Sequence, residues 1–309
     1  MAPGVLLVGG LLIALAGIAL SWPRVGLLPR LRRGAHLSRR ILKEDTLKCL
    51  QKVEARKETA GVDNLSGVLS VSRNRVAQLI QEMTREGLLF LEGESIRLTD
   101  RGREAALHII RAHRLWEHYL SQETGYTENE WHTRAEIREH MMSPEATEAL
   151  ARKLGNPTFD PHGDPIPASD GTGPIRSRGA ALSAAAPGAR LLVTHVEDEP
   201  DVVYAQVVAE GLYPGTEVDL IENSPEKVRF WANGEVHTLA PIVARNVTVV
   251  EALSREPEAM ADTFPLSALQ LGKEGVVAGI SASCRGTERR RMLDLGLVPG
   301  TPVVPEIRS

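Results

Sequence analysis

The sequence predicts an α+β multidomain chain: a helical first half interrupted by one short hairpin, a β-rich second half, and one apolar N-terminal helix. Three observations carry this. Residues 5–22 hold no charge; apolar residues recur at three- and four-residue spacing from Ile41 to about Ser143; and beyond a Pro/Gly/Ala/Ser-rich stretch, short alternating segments surround a repeated Pro-Gly turn. With 309 residues, 42% hydrophobic and 25% charged, the chain is long enough for two or three compact domains. A net charge of −4 means that any nucleic-acid contact must come from a local basic patch. Two cysteines, Cys49 and Cys284, exclude a disulfide framework and thiolate-rich zinc ribbons, and fit a reducing compartment. Aromatic residues are 4% of the chain, which argues against a base-stacking platform for single strands and leaves duplex DNA open.

The segment "VLLVGGLLIALAGIALSW" (residues 5–22, within a transmembrane segment 1–22) is about long enough to cross a bilayer and ends in an interfacial Trp22. Seven Lys/Arg and no acid follow between Pro23 and Lys43, so the positive-inside bias puts the rest of the chain in the cytoplasm, tethered to the membrane. A cleaved signal peptide is the alternative, although the basic cluster follows the apolar run instead of preceding it. The connector 23–40 reads as a lipid-headgroup segment.

From Ile41 to 103 the pattern is helix, short helix, turn at Leu69–Val71, a second helix capped by Ser72, then "LLFLE", a "GES" turn and "IRLT". That order is a winged helix-turn-helix. In such a module the second helix enters the major groove, which here presents Ser72, Arg73, Asn74, Arg75 and Gln78. The alternative is a protein-contact module with Arg73 and Arg75 solvated.

Over 104–160, a long helix carries His113 and Glu117 at i, i+4, and "HTRAEIREH" follows on another. At about 100° per residue, His132, Glu136, Glu139 and His140 fall on one side of that helix, which suits either a metal site or a solvated face. Facing helices that each present imidazole and carboxylate are how bundles assemble divalent-metal sites. His108, His118, His162, His195 and His237 read as structural or solvated. A metalloenzyme is disfavoured, because no nucleophile motif or phosphate loop accompanies the cluster.

Residues 161–188 read as a linker. After it, "GLYPGTEV" (211–218) and "GLVPGTPV" (296–303) form a repeat, each copy preceded by a strand-like stretch, as suits a small β-barrel. The first copy, 189–253, is complete. The second, 254–309, has only nine residues after Gly300 and lacks closing strands.

The quoted motifs together, "AHRLWEHYL", "WHTRAEIREHMMSPEATEALARKLGNP" and "DPHGDPIP", resemble the diphtheria-toxin-repressor and manganese-transport-regulator family of metal-dependent transcriptional regulators. Both C-terminal copies resemble the SH3-like barrel of that family and FeoA proteins of ferrous-iron uptake. The resemblance implies an all-α dimerisation and metal-binding domain, a homodimer on operator DNA of metal-uptake genes, and Mn(II) or Fe(II) as cofactor. It implies one metal on Asp45, Glu136, Glu139 and His140, and another on His113, Glu117 and His132, with Glu199 as an ancillary ligand or an exposed acid. Glu136 stands where iron-type members carry Cys, and a hard oxygen favours Mn(II). Lys48 departs from the second acid that manganese regulators carry on the first helix. The apolar segment and FeoA-like copies also leave room for an accessory module of a metal transporter that does not read DNA.

Overall fold

The computed structural model describes residues 27–171, 177–252, 263–280 and 284–307, with side chains from Ser38 onward. The chain divides after Ile109 into two compact units. The boundary falls inside one long helix.

The first unit opens with helix α1 (Leu27–Ala55), then α2 (Val62–Val68) and α3 (Arg73–Arg85). Ser72 caps α3: its hydroxyl accepts from the Arg75 amide at 3.4 Å, filling one of the donor positions that a helix start leaves open. Strands β1 (Leu89–Glu92) and β2 (Ser95–Leu98) form an antiparallel hairpin in which Leu89 faces Leu98 and Glu92 faces Ser95. Helix α4 (Asp100–Glu123) follows. One core gathers Leu47 and Leu50 of α1, Leu65 of α2, Val76, Ile80 and Met83 of α3, and Ile96 and Leu98 of β2. These positions recur at helical or alternating spacing, so each element buries a single face. Arg39 and Lys43 of α1 pair with Glu82 of α3, and Lys43 also reaches Glu86 at 2.6 Å.

The second unit holds the C-terminal part of α4, helices α5 (Glu128–Glu139) and α6 (Pro144–Lys153), and a six-stranded antiparallel sheet. Its strands are β3 (Ala180–Ala181), β4 (Arg190–Val196), β5 (Glu217–Asn223), β6 (Val228–Ala232), β7 (Glu235–Leu239) and β8 (Val247–Glu251). The order is β3-β8-β4-β5-β6-β7. Helix α7 (Asp201–Ala209) links β4 to β5, and the turn α8 (Pro241–Ala244) links β7 to β8. The alternating residues Leu191, Val193, Val218, Leu220, Val228, Phe230, Val247 and Val249 point into one apolar core. A separate two-stranded sheet pairs β9 (Gly275–Val276) with β10 (Pro302–Val303), with helix α9 (Gly286–Asp294) between them in sequence.

The membrane helix expected from residues 5–22, and the membrane localisation built on it, are corrected here. No helix among the described residues is long and apolar enough to cross a membrane. Residues 5–22 lie outside the described residues. The basic stretch after them enters α1, whose charged residues exclude it from a hydrocarbon layer.

Leu65 is fully buried at the centre of the first unit. Leu65→Ala is expected to cost about 3 kcal/mol, the usual range for emptying such a position. Urea unfolding of the purified chain measures it; a change below about 1 kcal/mol would show that the position is not core.

Candidate metal centre

Helix α4 carries His113 and Glu117 one turn apart, with Arg114 beside His113, and its neighbour α5 carries His132, Glu136 and Glu139. A capping box at Thr127 and Glu130 fixes where α5 begins, and fully buried Trp131 anchors it, its indole donating to the Tyr126 carbonyl at 3.0 Å. The register between the helices follows from these two devices.

The Glu117 carboxylate, 1% exposed, is the hub. Its Oε1 lies 3.0 Å from His113 Nε2, 3.2 Å from His132 Nδ1 and 4.0 Å from His162 Nε2. Two groups of ligand atoms share it: His113, Glu117 and His132, and Glu117, His162 and Asp198, each with its atoms within 4.8 Å of one another. His113 Nδ1 also contacts Glu139, whose other oxygen is 3.7 Å from His140 Nε2. Around His132 stand Asp198 at 3.2 Å, Glu136 at 3.4 Å and Glu199 at 3.6 Å.

His162 and Asp198 arrive from the loop before the sheet and the turn after β4. Asp160 Oδ1 accepts from the His162 and Asp164 amides at 2.9 and 2.8 Å, which shapes the loop. The His162 carbonyl then accepts from the Val196 amide at 2.9 Å, locking the loop to the end of β4 two residues before Asp198. Gly163 makes this approach possible: its φ is +88°, and a Cβ there would sit 2.0 Å from the Thr194 carbonyl oxygen. Behind the loop, Arg114 donates to the Pro165 carbonyl at 2.5 Å and lies 3.3 Å from Asp164.

The donor set fits a divalent cation. Both ring nitrogens of His162 are buried without a hydrogen-bond partner, which is costly unless something else binds there. Burial favours a neutral Glu117, but the imidazoles of His113, His132 and His162 outweigh it and hold the carboxyl well below its usual range. Burial likewise favours a neutral His132, yet hydrogen bonds to Asp198, Glu117 and Glu136 raise it to about 12. Burial opposes ionisation of Asp198 too, and its hydrogen bond to His132 prevails, lowering its pKa. The imidazolium of His132 thus stands among carboxylates where a metal cation has the matching charge.

Of the residues expected from sequence, His113, Glu117 and His132 come together, Glu139 joins them through His113, and His140 lies beside Glu139. Glu136 and Glu199 face His132. Asp45 is half-buried on α1 of the first unit. His162 and Asp198 were not expected as ligands; the "DPHGDPIP" motif and the acid beside Glu199 are the signals that could have found them. On α3, Ser72, Arg73, Asn74 and Gln78 are exposed and Arg75 is half-buried, on the side away from Val76, Leu79, Ile80 and Met83. Arg73 pairs with Asp63 of α2, a surface contact easily exchanged for another anion.

Residues 99–168 match the family described as "Iron dependent repressor, metal binding and dimerisation domain", and residues 264–304 match the FeoA domain. The chain is 35% identical over 170 residues to the iron-dependent repressor IdeR of Mycobacterium leprae, covering 51% of this chain and 73% of that protein. It belongs to the iron-dependent repressor family. A solved manganese-dependent transcriptional repressor in complex with manganese superposes on 68% of the chain and 99% of its own length, with a TM-score of 0.61 at 28% identity. A probable metal transport system membrane protein of Chlamydia trachomatis is 38% identical over 85 residues, which is 28% of this chain and 19% of that protein.

Two outcomes are expected. Gly163→Ala forces both strain and a clash, so it should destabilise the second unit by about 2 kcal/mol or more, read by urea unfolding. The His132 proton must leave before its nitrogen can ligate, so a raised pKa makes protons compete more strongly and metal affinity should rise with pH. For one displaced proton the rise is about tenfold per unit between about pH 6 and 8. Mn(II) titrations across that range measure it, and a flat profile would contradict the assignment of His132.

Proposed function

We propose that the chain is a metal-dependent transcriptional repressor, binding operator DNA of metal-uptake genes as a homodimer with Mn(II) or Fe(II) as corepressor. The observation that carries this is the buried Glu117 centre, where one carboxylate gathers three imidazoles and one of them, His162, has no hydrogen-bond partner. Nitrogen and carboxylate oxygen donors together suit first-row divalent ions, and the oxygen-rich surroundings of His132 favour Mn(II) over softer-ligand ions.

In this reading His113, Glu117 and His132 hold one metal, with His162 and Asp198 extending the ligand set from the C-terminal region and Glu199 as an outer acid. Glu139 and His140 hold a second metal with Asp45 and Glu136, on the ligand pattern of the family alone. The bound metal supplies positive charge that the carboxylates otherwise draw from protonated His132. The first unit is a winged helix-turn-helix, with Ser72, Arg73, Asn74, Arg75 and Gln78 facing DNA, and the six-stranded sheet is an SH3-like module. A DNA-reading helix whose freedom is reduced by metal has less entropy to lose on DNA, so metal and DNA affinities rise together.

A second reading has one observation in its favour, the likeness to a metal transport system protein over 85 residues. There the chain is a metal-sensing module of a transporter and α3 reads no DNA.

Operator retention by the full chain, titrated separately with Mn(II), Fe(II) and Zn(II), separates the two. Repressor function predicts binding that increases with Mn(II) or Fe(II), a loss of roughly tenfold in affinity for Arg73→Ala or Arg75→Ala, and no metal response in Glu117→Gln. DNA affinity indifferent to every metal and to both arginines would sink it.

A further inference from the structure

Arg285 belongs to none of the ligand sets above, yet it is a deeply placed charge of the C-terminal FeoA-matching segment. Its side chain is 10% exposed and directly precedes α9. The guanidinium donates to the Pro161 carbonyl, one residue before His162. The same nitrogen lies 4.0 Å from Glu128 at the start of α5, and the guanidinium carbon sits 5.1 Å from the centre of the Tyr213 ring. Glu128 in turn accepts the Tyr204 hydroxyl at 2.5 Å, and the Tyr204 ring meets the His162 ring edge-on at 5.1 Å. Arg285 therefore touches the backbone that carries His162 and the acid that positions the ring packed against it.

Two neighbours complete the grip. Gly286 is buried with φ +51°, and a Cβ there would lie 2.9 Å from the Tyr126 carbonyl and 3.1 Å from the Trp131 indole. The Thr287 hydroxyl donates to the Gly125 carbonyl at 3.1 Å. Behind this grip, among the described residues, the segment's own packing is slight: β9 and β10 are two residues each, Leu269 is buried, and Leu266, Leu271, Val276 and Leu295 are exposed. A two-stranded sheet of that size is not independently stable, so the segment depends on what it docks against. A guanidinium at such a junction either keeps its carbonyl and carboxylate partners or returns to water, which makes docking a two-state event.

We propose that Arg285 is a positioning residue for the cation site on Glu117, His162 and Asp198: the C-terminal segment is a clasp that fixes the His162 loop, and clasp closure and cation binding favour each other. The inference rests on the metal-binding reading above. By linkage, whatever factor the closed clasp adds to cation affinity, the cation adds to closure. The clasp gives the FeoA-matching segment a role in metal affinity without contributing a ligand.

The test uses the full chain and Mn(II) alone. Free Mn(II) is counted by electron paramagnetic resonance, and hydrogen exchange of the amides of residues 286–294 is followed with and without Mn(II). The expected result is that Arg285→Ala weakens one class of Mn(II) site about tenfold or more while leaving the number of other sites unchanged, that Arg285→Lys recovers part of the loss, and that Mn(II) slows exchange in 286–294. His162→Ala should abolish that slowing although its own clasp contacts are intact. Thr287→Ala is a milder variant, with a smaller loss in the same class, should Arg285→Ala disturb folding by circular dichroism. Wild-type Mn(II) affinity in both Arg285→Ala and Thr287→Ala, or exchange in 286–294 indifferent to Mn(II) in a wild type that binds it, would overturn the clasp and leave the metal reading standing. A wild type that binds no Mn(II) would overturn both.

Discussion

The second unit is organised around one unfavourable object, a carboxylate removed from water. Glu117 is almost fully buried, and a buried anion is stable only when cationic or strongly donating partners surround it. Its partners are imidazoles rather than arginines, so the compensation is adjustable: an imidazole can gain or lose a proton or bind a metal, whereas a guanidinium stays protonated and binds none. Three elements must converge to supply them. His113 comes from the same helix one turn earlier, His132 from α5, and His162 from a loop. The capping box of α5, the buried Trp131 and the turn around Asp160 all act to keep that convergence in place.

A second layer of charge supports the first. Arg114, adjacent to His113 on α4, faces Asp164 and Asp160 and donates to the Pro165 carbonyl. His195 of β4 stands 3.6 Å from Asp164, so the sheet is tied to the same acids. Burial and the neighbouring Asp164 and Glu117 push the Asp160 carboxyl well above its ordinary range. As a neutral or shared acid it still accepts the two amides that shape the His162 loop.

Much of this architecture is readable in the sequence because it is periodic. The His113 and Glu117 pair, the apolar faces of α3 and the alternation in β2 each repeat at the spacing of their element, and Ser72 announces a helix start by its chemistry. His162 and Asp198 have no such signature. They meet through a carbonyl–amide pairing between residues 162 and 196, a non-local contact that leaves no period behind. The same blindness affects the stretch after Pro161, whose prolines and glycines read as linker by composition. Pro161, His162, Gly163, Pro165 and Pro167 are in fact buried, because a chain rich in residues with restricted or permissive backbones can also line a site closely. The apolar N-terminal stretch lies outside the described residues, and no described helix is long and apolar enough to cross a membrane.

The pairing of Val196 with the His162 carbonyl also divides the candidate ligands by origin. His113, Glu117 and His132 are held by helices whose spacing cannot change without disturbing the core. His162 and Asp198 hang on either side of one backbone hydrogen bond at the C-terminal end of β4. Insertion or deletion of a residue between Val196 and Asp198 would withdraw one candidate donor and leave every helix intact. The candidate site is in this sense built in two halves, one set by helical spacing and one by a turn, so a change of length in that turn would alter the donor set while the helical frame stays the same.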